Sequence, residues 1–161
     1  MIRKDQLAEG YALNLRLIEM QTSGLNHADS LIQTPYNINC LNWVLGHIAV
    51  GRDSVLRLIG EEPLLNKEET NRYKTDSDPI TGDGEHVVQL ERLLNILAIG
   101  QVRINSGFAR LTGDELSREV QMGDRQVPLG VRLHSFYFHD TYHTGQTDLL
   151  RQIAGTNDKI I

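Results

Sequence analysis

The chain has 161 residues, 40% apolar and 23% charged, and reads as one globular domain over 1–161, long enough to bury a core without cross-links. A net charge of −5, with Lys and Arg scattered, argues against a nucleic-acid partner, and no apolar run is long enough to span a bilayer. Cys40 is the single cysteine, which excludes an internal disulfide and a Cys-rich zinc site, and with the polar start at Arg3 and Lys4 points to a cytoplasmic protein.

Four stretches carry helical periodicity. The first runs from Lys4 to Gly24 on Leu7, Tyr11, Leu15 and Ile18, with Asp5 suited to the positive end of the helix and Gly24 to its stop. The second, Asn39 to Ile59, has a broad apolar face, with Asn39 as its cap and Gly60 and Pro63 to end it. Glu61 to Gly84 is polar and reads as a long connection with one short helical turn around Glu68 to Tyr73. Such length is uncommon in a compact domain without a task, such as crossing the bundle end or covering the mouth of a site. The third stretch spans Gly84 to Thr112 on Val87, Leu90, Leu94, Leu97, Ile104, Phe108 and Leu111. Alternation around Gly123-Asp124 suggests a small hairpin or extended turn. The fourth stretch begins near Pro128, well suited to a first helical position, and runs to Ala154 before Gly155 ends it. The pattern predicts an all-α four-helix bundle with a short extended element before the last helix.

His139 and His143 stand four residues apart in the fourth stretch, so their imidazoles share one helix face and can reach one ion. His47 lies mid-way along the second stretch. Three neutral nitrogen donors would hold a divalent transition metal and leave positions open, as a catalytic site requires. The inward stripe of the last helix is traced as Phe136, His139, His143, Gln146 and Leu150, so the histidines interrupt it. A buried imidazole without a partner costs about 1–3 kcal/mol, which a shared metal would offset. The plainer alternative is that each is hydrogen-bonded or packed within the fold. His27, His86 and His134 read as surface or packing residues. Asp140 stands where a zinc protease carries Glu, one methylene too short for that role; it is expected on the solvated face, with acceptance from a ligand imidazole as the alternative. Trp43 reads as a core residue with a satisfied indole, and Cys40 as a thiol at a helix start with no nucleophile motif around it.

The stretch Asn42-Trp43-Val44-Leu45-Gly46-His47, followed by His139-Asp140-Thr141-Tyr142-His143-Thr144-Gly145-Gln146 and Leu150-Arg151, resembles the DinB-like superfamily of bacterial proteins. That group includes YfiT-like metal-dependent hydrolases, bacillithiol-dependent S-transferases and mycothiol-dependent maleylpyruvate isomerases. The resemblance covers nearly the whole chain and is most specific in the last helix. It implies a four-helix bundle, often dimeric, with His47, His139 and His143 as ligands of a divalent metal, commonly nickel or zinc.

A metal so held would activate water, as a hydrolase needs, or a low-molecular-weight thiol, as an S-transferase needs. Both chemistries use the same ligands, so a thiol or an electrophile remains the open substrate class. A non-enzymatic metal-binding or stress-response module is the alternative in a second class, and a metal-free helical interaction protein is the third.

Overall fold

The computed structural model describes residues 3–36 and 38–158. Its four long helices are α1 (Lys4–Thr22), α3 (Leu41–Leu58), α5 (Leu90–Arg110) and α7 (Leu129–Ile153), with short helices α2 (His27–Ser30), α4 (Lys67–Tyr73) and α6 (Gly113–Ser117) between them. Strands β1 (Glu119–Met122) and β2 (Arg125–Pro128) pair antiparallel just before α7, Met122 opposite Arg125. The two-residue turn between them places Gly123 at φ 60, a left-handed position that glycine occupies without a Cβ clash. The expected bundle and hairpin are therefore both present.

The long helices pack in a ring in which α3 and α1 each lie against both α5 and α7. Two apolar clusters fill the interior. One holds Leu7, Tyr11, Val55, Ile104, Phe108 and Leu133; the other holds Ile18, Leu45, Ile48, Leu93, Leu97 and Leu150. The order in which each helix meets the clusters gives its direction: α1 and α7 run one way, α3 and α5 the other. Because α3 and α5 are parallel, the chain must return the length of the bundle between them. The long connection serves that purpose, as one-crossover bundles require.

Several boundaries differ from expectation. The second helix starts at Leu41 with Cys40 at the cap position and no side-chain cap bond, so Asn39 does not cap it. The third starts at Leu90, not Gly84, because His86 takes a left-handed φ of 61 that helical backbone cannot continue through. Helices α2 and α6 fall outside the four stretches expected to be helical, and each opens on a capping box, Asn26 with Asp29 and Thr112 with Glu115. The turn expected around Glu68 to Tyr73 is α4, likewise boxed by Asn66 and Glu69.

Candidate metal centre

Glycine at position 46 sets up the site. A Cβ there would meet the Tyr73 ring at 2.1 Å, so only a bare backbone lets Tyr73 lie flat on α3. Tyr73 is then buried, donates its hydroxyl to Asn42 Oδ1 at 2.8 Å and accepts from the Val88 N–H at 2.7 Å. Anchored this way, its backbone carbonyl lies 2.7 Å from His47 Nδ1. A carbonyl only accepts, so Nδ1 carries the proton and Nε2 of His47 presents a lone pair.

On α7, His143 Nδ1 donates to Gln146 Oε1 at 2.7 Å, which leaves its Nε2 free in the same sense. His139 Nε2 lies 2.9 Å from His47 Nε2, and the three imidazole centroids are 4.5–4.8 Å apart. One donor atom from each of the three lies within 4.8 Å of the others. Two nitrogens sharing one ion at about 2.0–2.1 Å sit roughly 3 Å apart, so the 2.9 Å approach suits a common ion. Without an ion, one ring must donate to the other, and His139 Nδ1 is a buried nitrogen with no partner. That nitrogen faces Gly51, where a Cβ would come within 3.2 Å of it.

Electrostatics favour the uncharged form of His47 and His139. Burial lowers the His47 pKa, against a raising effect from the Tyr73 carbonyl. Burial first, and then the neighbouring His143 and His47, lowers that of His139 to about 4, while Asp140 pulls the other way. Imidazoles that resist protonation, as His47 and His139 do, are the form a transition ion coordinates.

The triad forms the floor of a cavity of about 860 Å³ walled by Trp43, Val44 and Leu150, with Tyr142 and Leu149 at its surface end. Trp43 stacks on His47, centroids 4.6 Å apart, and donates its indole N–H to Ser77 Oγ at 2.9 Å. It is therefore the satisfied core residue expected and a wall of the site as well. Thr75, Asp76, Ser77 and Pro79 close one side, so the long connection does cover the site.

Two expectations about α7 are overturned. Asp140 is 2% exposed, not solvated: Arg52 Nε reaches its Oδ2 at 2.8 Å and Asn14 Nδ2 its Oδ1 at 2.8 Å. Of the stripe traced from sequence, Leu150 is buried as expected, but the rest of the buried face in this half of the helix is the polar set Asp140, Thr144, Thr147 and Arg151, so the histidines flank that face rather than interrupt an apolar one. Arg151 donates to the carbonyls of Gln21 and Ser23, both at 2.9 Å, and so caps the end of α1. Among the other histidines, His134 and His86 are exposed, and His27 accepts the Leu90 N–H at 3.2 Å; none joins the triad. Cys40 is buried, and burial raises its pKa, the opposite of an activated thiol.

The residues missed from sequence were Gly46, Gly51, Tyr73, Arg52 and Asp76. Isolated glycines inside a helical pattern are the one signal that was present.

The fold matches the crystal structure of a conserved protein from Enterococcus faecalis with a TM-score of 0.74 and 20% identity, covering 97% of this chain and 100% of that one. At that identity the likeness concerns the fold. No family model and no curated protein matches the chain. None of its helices among the described residues is long and apolar enough to cross a membrane.

Proposed function

We propose that the chain is a metal-dependent enzyme of DinB-like type, holding a divalent transition ion, nickel or zinc, on His47, His139 and His143. The observation that carries this reading is the convergence of three imidazoles on the floor of a cavity reaching the surface, two with the outer nitrogen engaged so that the inner one is free. When bound, the ion would supply Lewis acidity, lowering the pKa of a water or thiol and polarising a substrate oxygen. The chain's own part is to fix the donors, favour the neutral form of His47 and His139, and exclude bulk water with Trp43, Val44 and Leu150. Hydrolysis and transfer of a small thiol to an electrophile are the two reactions this arrangement serves.

Elemental analysis of untagged protein tests the centre, with one ion per chain expected. Turnover by loaded and stripped protein of thiols with electrophiles, and of simple esters and amides, tests the chemistry. Turnover that survives complete metal removal refutes the mechanism; a bound ion with no turnover favours the metal-binding module.

The homodimer is part of the proposal and has a surface to use. Val131, Phe138, Tyr142 and Leu149 are 48–68% exposed and repeat at seven- and four-residue steps along α7, the spacing of a helix-pairing seam. Sedimentation as a monomer at micromolar concentration would remove it.

A further inference from the structure

The outer face of α7 is ordered along its length. Val131, Ser135, Phe138, Tyr142, Gly145 and Leu149 follow one another at alternating four- and three-residue steps, the pattern of one helix seated on another. The four large side chains are 48–68% exposed. Half a turn around the helix, the line Leu133, Asp140 and Thr147 is buried, so the seam points straight out of the bundle.

Reflected about Asp140, the seam falls on itself: Val131 on Leu149, Ser135 on Gly145, Phe138 on Tyr142. Aliphatic meets aliphatic, small meets small and aromatic meets aromatic. A two-fold interface makes that demand, because it sets residue i against j and j against i. An antiparallel pair of α7 helices meets it with even layers, whereas a parallel pair would oppose Gly145 to Gly145 beside two tyrosines. The antiparallel flanks carry no like charges, since Arg132 then faces Gln146 and His134 faces Asp148. Gly145 fits the same picture. A Cβ there would meet nothing within 4 Å, so no contact inside the chain calls for glycine in mid-helix, where it costs about 1 kcal/mol against Ala. A second helix approaching at that layer does.

The seam is also the rim of the site. Tyr142 and Leu149 stand at the surface end of the cavity over the triad. We infer that two copies of the chain pair α7 antiparallel about Asp140, and that Val131 and Phe138 of the partner subunit cover Leu149 and Tyr142 and so complete the wall of each cavity. The inference rests on the homodimer proposed above and adds its register and its part in the site.

The register is tested by mixing Val131→Cys and Leu149→Cys proteins, allowing subunit exchange and oxidising; Cys40 is buried and takes no part. The mixture should yield covalent dimer. Either protein alone should not, because two copies of one position then lie about 27 Å apart, against a disulfide Cα reach of about 7 Å. The shared wall is tested by Phe138→Asp, which lies on the seam but does not line the cavity. It should sediment as a monomer and raise the acrylamide quenching constant of Trp43, the chain's single tryptophan and a cavity wall, about twofold or more. Val102→Asp, equally exposed on α5, should change neither. A monomeric wild type refutes the homodimer and this inference with it. A dimeric wild type whose thiols join within one variant, or fail to join in the mixture, or a Phe138→Asp protein that stays dimeric, refutes the antiparallel seam and leaves the homodimer standing. Unchanged Trp43 quenching in monomeric Phe138→Asp refutes the shared wall.

Discussion

Replacing Arg52 with Met should remove a large share of the stability of this bundle. Arg52 is 2% exposed and spends its guanidinium on three other helices: Nε and Nη2 on Asp140 of α7 at 2.8 and 3.3 Å, Nη1 on Leu97 O and Gln101 Oε1 of α5 at 3.3 Å, and Nη2 on Tyr11 O of α1 at 3.2 Å. Met keeps much of the volume but leaves the Asp140 carboxylate buried with only Asn14 to answer it. Breaking a buried pair from one side costs about 3–5 kcal/mol, a fifth or more of the roughly 5–15 kcal/mol that holds a domain together. In urea, with a slope of about 2 kcal/mol per M, the midpoint should fall by about 2 M. Removing both charges as Arg52→Met with Asp140→Leu should recover most of the loss, because no charge is then stranded. A single variant that loses less than about 1 kcal/mol, or a double variant no better than the single, would show that water solvates this pair and that the layer does not work as described.

Other outcomes follow from the site. His47→Ala, His139→Ala or His143→Ala should each abolish stoichiometric zinc or nickel uptake by calorimetry, whereas His134→Ala should not; full uptake by His47→Ala would break the triad. Gln146→Ala frees the outer nitrogen of His143 and should weaken metal affinity about 10- to 100-fold with the fold intact by circular dichroism. Gly51→Ala brings a methyl within 3.2 Å of His139 Nδ1 and should weaken metal affinity without lowering the melting temperature, since Ala favours the helix by about 0.5–1 kcal/mol. In metal-free protein the His139 pKa is lowered to about 4, so the unfolded chain takes up its proton first as pH falls from about 6.5. The contribution of this neutral imidazole is therefore present above pH 6.5 and lost toward pH 4, an acid destabilisation that His139→Gln should reduce in urea titrations at successive pH values.

What could be read from the sequence divides along a physical line. Histidines four apart on one helix, apolar residues at helical steps and a glycine-centred hairpin are local patterns. Local geometry alone decides them, so they survived into the fold. The burial of Asp140 was not legible in that way. A charged residue is placed at the surface by default, and the reason to place it inside lies 88 residues away in Arg52. The layer these two form with Asn14 and Gln101 falls between the two apolar clusters on every long helix. A slipped register of any helix would strand one of these buried polar groups. The layer therefore bears on register as well as stability, and with Asp140 adjacent to His139 it also fixes how far along α3 the pair on α7 falls. His47 lies on the same helix as Arg52, five residues earlier, so the polar knot and the metal triad are set by one alignment of α3 against α7. The engaged nitrogen of His47 was equally invisible, because its partner is a backbone carbonyl, and any residue at position 73 supplies one. What singles out Tyr73 is Gly46, whose missing side chain admits the ring. Gly46→Ala sets a methyl against that ring at 2.1 Å and should cost about 1–3 kcal/mol while loosening the His47 orientation, so metal affinity and stability should fall together. Stability unchanged with affinity intact would show that Tyr73 can move aside at no cost, and that its carbonyl does not orient the ligand.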